Sequence, residues 1–323
     1  MEALLKTFSA GFIVIALLAG CISSGSVSEE DAGLLKDYRT FHATGRIDYG
    51  NIGDSYTAEL VMYLAGNQFM VIKELIQDFQ KANPNVKTIY VETIQPGQIL
   101  DNQILKQGKV NGEKTNRNPD LYASVNLDHL QKLRMEGRMD QYIIYSHNRL
   151  ELMVAKGNPR NITGPQDLAR DDLVQSHPNP VTEGIFKYYG AEMLNDLEIY
   201  EQVTGDVECK ACWAVPGKTW FTERYYRETP YRIENGEADV GIVWTTDVIE
   251  AKKQGRNIEG VPIPAPHNKA DKVAYAIGIL NDAKNLSNAQ LFINYLRTSH
   301  AQSIYAKYGF IKASEEELEY KSL

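Results

Sequence analysis

From residue 60 onward, apolar strand-like runs alternate with amphipathic helices, and this order restricts the fold more than any other feature. Leu60-Val61-Met62-Tyr63-Leu64 is a short continuous apolar run and reads as a buried strand. Ala65-Gly66-Asn67-Gln68 is a turn. Phe69, Ile72, Leu75, Ile76 and Phe79 then fall at helical spacing, which predicts a helix from Phe69 to Ala82. Asn83-Pro84-Asn85 breaks it. Lys87 to Glu92 is the next strand, and Pro96-Gly97 is a turn before Ile99-Leu100 and Ile104-Leu105. Pro119-Asp120-Leu121-Tyr122-Ala123 reads as a third strand with a helix after it. Such β-α-β-α alternation implies a parallel sheet with helices on its faces.

A second alternating region follows. It holds a strand from Leu150 to Ala155, an apolar stretch at Val174 to Ser176, a helix from about Glu183 to Leu194, and a helix-to-strand segment from Tyr231 to Trp244. Pro262, Pro264 and Pro266 make a stiff extended crossing. Val273 to Leu280 is a strand again, and Ala289 to Leu296 and Ala301 to Tyr308 close the chain as helical segments. The expected architecture is α/β: two Rossmann-like lobes joined by two crossings, with the C-terminal segment returning to the first lobe. Residues 58–148 and 263–323 would form lobe 1 and residues 149–262 lobe 2. Residues 27 to 57 are polar and weakly periodic, so 21–57 is expected to be a tether and extension ahead of the folded body.

Residues 1–20 read as a leader. Lys6 precedes a run from Phe8 to Ala19 that is apolar apart from Ser9, the length of a signal-peptide core. Spanning a bilayer takes roughly 20 apolar residues, and this run falls short. Leu18-Ala19-Gly20-Cys21 resembles the lipobox, in which the cysteine is lipidated and becomes the mature N-terminus. Ser23-Ser24-Gly25-Ser26 would follow as a flexible tether. The plainer alternative is an ordinary cleaved signal with an incidental cysteine. Either way the protein is expected to work outside the cytoplasm. A lipid on Cys21 would hold it at the membrane surface rather than across it.

Two further cysteines, Cys209 and Cys212, stand in Glu208-Cys209-Lys210-Ala211-Cys212-Trp213. In an oxidising compartment such a pair favours a local disulfide. A redox CxxC site is the sharper alternative. A metal site is not expected, because one CxxC supplies two ligands and no partner motif lies at usable spacing. The net charge of −8 argues against a nucleic-acid partner. It leaves room for a small anion, which helix N-termini and backbone amides bind even in an acidic protein.

An ordered series of segments is similar to a known family. Val61-Met62-Tyr63-Leu64-Ala65-Gly66-Asn67 stands where that family has its first strand and ligand loop. Pro119-Asp120-Leu121-Tyr122-Ala123 resembles its "proline or alanine, Asp-Val-Phe-Ala" strand. Asn148-Arg149-Leu150 through Lys156-Gly157-Asn158-Pro159 resembles its "Asn-Arg-Leu-Val-Leu-Val-Val-Pro-Lys-Gly-Asn-Pro". Gly236-Glu237-Ala238-Asp239-Val240-Gly241-Ile242-Val243-Trp244 resembles "Gly-Glu-Ala-Asp-Ala-Gly-Ile-Val-Tyr", and Ala301-Gln302 with Tyr308-Gly309-Phe310 resembles the closing "Ala-Gln … Tyr-Gly-Phe". The chain thus resembles the extracytoplasmic solute-binding proteins of ABC importers, above all the molybdate and tungstate binders, over about residues 60 to 313. The resemblance implies a periplasmic-binding-protein type II architecture, with hinge crossings near His147 to Leu150 and Val261 to Pro266. It also implies a monomer without catalysis or cofactor, which would deliver a small oxyanion to an ABC permease and its ATPase.

Ligands of open α/β sheets lie beyond the carboxyl ends of strands, so the turns there are the candidate site. Asn67 and Gln68 occupy the first, as amide donors or, for Asn67, as a helix cap. Thr93, Gln95, Gly97 and Gln98 form the second, where Gly97 permits close backbone approach. Asn179-Pro180-Val181-Thr182-Glu183-Gly184 matches the family loop whose amides point at the oxyanion, with Thr182 as N-cap and donor. Glu183 would favour the helix dipole; facing the cleft, it would oppose an anion. Trp244 stands where the family has an aromatic hydroxyl, as an indole donor or an apolar anchor. Arg224 and Arg227 are candidates to grip an anion in two-point fashion, or are members of a solvated helix start. The serine hydroxyls typical of molybdate binders are replaced at Asn67-Gln68 and Pro96-Gly97. An organic carboxylate or other anion is therefore the second choice of ligand, and a ligand-sensing role stays open beside import.

Overall fold

The computed structural model describes residues 37–106, 109–110, 113–114 and 118–322. The leader, Cys21 and the serine-rich tether lie outside the described residues. The chain enters through strands β1 (Tyr38–His42) and β2 (Ile47–Tyr49), then forms β3 (Leu60–Ala65), helix α1 (Ile72–Ala82), β4 (Thr88–Ile94), β5 (Leu121–Ser124), α2 (Leu127–Met135) and β6 (Gln141–His147). It crosses at 148–149 into β7 (Leu150–Ala155), β8 (Gln175–His177), β9 (Cys212–Val215), β10 (Thr219–Phe221), α3 (Tyr225–Glu234), β11 (Val240–Trp244), α4 (Thr245–Lys253) and β12 (Ile258–Pro262). It returns at 263–273 to β13 (Ala274–Ile279), α5 (Leu286–Leu296), α6 (Ser299–Lys307), β14 (Ile311–Lys312) and β15 (Lys321–Ser322).

Two sheets result. The first has nine strands, in the order β14-β6-β13-β5-β3-β4-β1-β2 with β15 on β6; the second has six, β9-β10-β8-β11-β7-β12. The chain passes between them twice, at 148–149 and at 263–273. Each sheet is parallel only in its middle: β3 runs parallel to β4 and β5, and β8 to β10 and β11. The returning strand β13 is antiparallel to both β5 and β6, and β7 is antiparallel to β11 and β12. The parallel pairing expected from the alternation forms the middle of each sheet, and antiparallel strands flank it. A strand that enters a lobe directly from the other lobe, with no crossover helix, pairs antiparallel.

All six residues of β3 are buried, as a central strand covered on both faces requires. Leu60, Met62 and Leu64 pack with α1, while Val61 and Tyr63 lie in a second cluster on the other face. Phe79 of α1 meets Phe292 and Tyr295 of α5 edge-on, at ring centroid distances of 5.2 and 5.4 Å. Each such contact adds about 0.5–1.5 kcal/mol beyond burial.

Within the stretch expected ahead of the folded body, the described residues 37–57 are instead part of lobe 1. β1 pairs with β4 over five residues, from Tyr38 opposite Glu92 to His42 opposite Thr88, and Phe41 is buried beneath it. Arg39 Nη1 donates to Phe69 O at 3.0 Å and ties the strand to lobe 1. Without β1, β4 would be an open edge with a row of unpaired amides. Polar residues carry this strand because backbone pairing, not an apolar stripe, holds it.

Cys209 and Cys212 form a disulfide at the start of β9, an edge strand of lobe 2. Among the described residues no helix is long and apolar enough to cross a membrane.

Candidate anion site between the lobes

Between the lobes lies a cavity of about 280 Å³. Its walls are the starts of five helical segments. Ala65, Gly66 and Asn67 open the turn after β3, and Gln95, Pro96, Gly97 and Gln98 open the helix after β4. Val125 and Asn126 lead into α2, Thr182 to Ile185 into the helix over 185–196, and Trp244 into α4. Each first turn carries backbone N–H groups without intrahelical partners. The sheets place all five starts at strand carboxyl ends or in the loop leading from β8.

Of the residues singled out from sequence, Asn67, Gly97, Gln98, Thr182, Glu183, Gly184 and Trp244 line this cavity. Their roles differ in detail. Asn67 makes no side-chain cap; its Nδ2 donates to Tyr275 Oη at 2.5 Å. That hydroxyl also receives Asn148 Nδ2 at 3.2 Å, and the same amide donates to Thr246 Oγ1 of α4 at 3.0 Å. Asn67 thus leans on a polar bridge through the hinge. Thr182 is not the helix N-cap; that position is Gly184, with no side-chain cap. Asn179 instead closes the turn before it, with Oδ1 accepting from Val181 N at 3.1 Å and Thr182 N at 2.8 Å, and Nδ2 donating to Thr222 O at 2.7 Å. Trp244 is buried against Tyr189, ring centroids 5.7 Å apart, and its backbone N–H donates to Asp247 Oδ2 at 3.0 Å.

Three candidates are placed elsewhere, and a fourth has no described side chain. Gln68 is fully buried in lobe 1, where its Oε1 accepts from Tyr305 Oη at 2.8 Å. Thr93 lies inside β4, its N–H bonded to Asp37 O at 2.9 Å. Arg224, at the N-cap of α3, pairs with buried Asp37 at 3.2 Å. Arg227 falls in α3, its side chain outside the described set. Strand alternation explains Thr93: a residue one position off turns to the opposite face.

Sequence reasoning passed over Asn126 and His129, which follow β5, and Lys106, Lys187 and Tyr188. The strand at Leu121 was legible, and its carboxyl end pointed to this crevice as much as the others did. His129 Nδ1 is 2.9 Å from Ser124 Oγ, and burial holds its pKa below the usual histidine value. Lys106 and Lys187 have no ion pair among the described residues.

Glu183 is the unexpected element. It is 2% exposed and faces the cavity, with Oε1 accepting from Gln95 Nε2 of the opposite lobe at 2.9 Å. Burial pushes its carboxyl up to about 8. Asp247 below it is pushed up by burial too, with the Glu183 charge adding to the shift. The lobes also meet where Tyr189 Oη donates to Val125 O at 2.7 Å. Among the described residues no group of three or more His, Cys, Asp or Glu is placed to hold a metal ion.

A two-sheet α/β protein with this cleft has the periplasmic-binding-protein type II fold. The family model for bacterial extracellular solute-binding proteins matches residues 60–311, and the chain belongs to that family. It is similar to a putative ABC transporter substrate-binding lipoprotein, YvgL, of Bacillus subtilis, with 27% identity over 195 residues. That match spans 59% of this chain and 66% of the relative, just under two thirds of its length. The fold is shared with the periplasmic molybdate-binding protein of Azotobacter vinelandii, at TM-score 0.60 and 17% identity over 79% of this chain and 100% of that one. It is shared also with the sulfate-binding protein SubI of Mycobacterium tuberculosis, at TM-score 0.60 and 17% identity over 80% and 88%.

Proposed function

We propose that this protein is a lipid-anchored, extracytoplasmic solute-binding protein that captures a small oxyanion of the molybdate or tungstate kind and hands it to an ABC permease and its ATPase. The carrying observation is the convergence of five helical starts on one cavity between two lobes. Unpaired amides at such ends favour negative charge. Hinge closure would present the loaded form to the permease. The names of the similar lipoprotein and of the molybdate- and sulfate-binding neighbours support the same reading.

Cavity size favours a second reading of the ligand. A tetrahedral oxyanion is only about four water-sized atoms, and a cavity of about 280 Å³ has room beyond it. An oxyanion head on a short organic chain would use the remainder, with Lys106 and Lys187 for a second charge. The Cys209–Cys212 disulfide is not part of the cavity wall, which weighs against the redox alternative.

A thermal-shift screen against molybdate, tungstate, sulfate, phosphate and small carboxylates tests the reading. A ligand bound only by the native state adds about 4 kcal/mol at a thousandfold excess over Kd, so the true ligand will raise Tm by several degrees. A response to neutral sugars or amines instead would overturn the anion assignment. For the anchor, Cys21→Ser is expected to move the protein from the membrane to the soluble fraction or to stall its processing. Unchanged fractionation and leader cleavage would remove the lipid from the account.

A further inference from the structure

An acid lining an anion cavity is a contradiction unless a proton resolves it. Glu183 is buried, Gln95 fills one of its oxygens, and no cation is paired with it among the described residues. An anion seated on the surrounding helical starts would bring one of its own oxygens toward this carboxyl. Two ionised acceptors at hydrogen-bond distance repel, and such pairs are stable when they share one proton.

We propose that exactly one proton lies between Glu183 and the bound anion, so that Glu183 decides which anions the cleft holds and over what pH range. This rests on the anion reading above. The proton has two possible sources. Molybdate, tungstate and sulfate carry none at neutral pH, so for them Glu183 must bring it and donate it in a hydrogen bond. Phosphate, or an oxyanion head beside a hydroxyl, brings its own, and Glu183 then accepts. The acid is a selectivity element as well as a wall.

Burial supports the first case, since it lifts Glu183 to about 8. The sign follows directly. Below about 8 the carboxyl is neutral and a fully ionised anion binds at full strength. Above it the acid must regain a proton to bind, and affinity falls up to tenfold per pH unit, as linkage to one proton requires. An anion with its own hydrogen shows no such fall from this group.

The other charged groups facing Glu183 come from each neighbouring element. From α4 comes Asp247, buried and shifted in the same direction. From α3 come Arg224, paired with Asp37, and Glu228, whose Oε1 accepts the N–H groups of Glu223 and Arg224. His129 of α2 is held low by burial. Asp101, on the helix after β4, pairs with Lys132 at 2.7 Å, and Lys106 and Lys187 stand farther along the wall. Among the acids facing Glu183, Asp247 is the one pushed in the same direction, so it is the necessary control.

Calorimetry on the purified protein with molybdate, tungstate, sulfate and phosphate, from pH 6.5 to 9.5 in two buffers of different ionisation heat, decides the matter. For molybdate, Kd should rise toward tenfold per unit above about pH 8, with close to one proton taken up per anion there. Glu183→Gln, a neutral donor at every pH, should keep the affinity seen at low pH and lose the slope. Asp247→Asn should keep the slope. A wild-type Kd flat across the range, or a slope that survives Glu183→Gln, overturns the shared proton while leaving the anion site standing. If none of the four anions binds at any pH, the inorganic-oxyanion reading falls and takes this inference with it.

Discussion

Arg224→Ala will weaken ligand binding about five- to thirtyfold without unfolding either lobe. Arg224 caps α3 in lobe 2, and its Nη1 reaches Asp37 at the entrance to β1 in lobe 1, 3.2 Å away. Asp37 is 2% exposed whereas the arginine side chain is 30% exposed. Removing one partner of a fully buried ion pair costs ~3–5 kcal/mol. Solvent at the arginine end lowers this to about 1–2 kcal/mol, which is about five- to thirtyfold in Kd. The loss falls on the closed form alone, because the pair spans the cleft and separates when the lobes part. Calorimetry on Arg224→Ala, Asp37→Asn and the double variant tells a latch from a ligand contact. A latch gives two single losses of similar size and a double variant little worse than either. If Arg224 instead gripped the anion, Asp37→Asn would leave binding unchanged or strengthen it. Equal Kd values for Arg224→Ala and wild type would dispose of the latch.

Gly241→Ala will be the most damaging single-methyl change in lobe 2. Gly241 stands in β11, opposite Met153 of β7. A Cβ there would sit 2.3 Å from the carbonyl oxygen of Ser176 and 2.4 Å from Thr229 Cγ2 of α3. The first obstacle is backbone, so it yields only if β8 and β11 move apart. Overpacking of this kind costs about 3 kcal/mol, the upper part of its usual range, and lowers Tm by roughly 6–12 °C. Gly236→Ala is the contrast. Its φ is +71 and nothing lies within 4 Å of the added atom. Only the left-handed backbone resists, at roughly 1 kcal/mol. Thermal melts of the two variants should therefore separate clearly. A Gly241→Ala melt within a degree or two of wild type would show that the strands tolerate the methyl, contrary to this packing.

Gly241 also shows where reading a sequence succeeds. The run Gly236 to Trp244 was recognisable as a strand following a helix, and the alternation of such units was enough to give two α/β lobes. Chain order and apolar periodicity carry that information because each element must bury its own stripe. The turns at 66–67, 97–98 and 182–184 were likewise legible as cavity walls, since strand carboxyl ends collect on one edge of a sheet. What escaped depended on partners far away along the chain. The polar β1 became a strand only because β4 offered it an edge. Arg224 looked like a ligand grip until Asp37 was found beside it. Gln68 looked like a donor until Tyr305 filled its oxygen.

The sequence by itself determined the two-lobed α/β fold, a consequence of local periodicity and turn chemistry. Only the tertiary structure decided which side chains face the cavity and in what electrical state. Glu183 illustrates the reason. Its charge depends on water excluded by both lobes and on the amide of Gln95, 88 positions away along the chain, and neither desolvation nor a long-range hydrogen bond leaves a mark in local sequence.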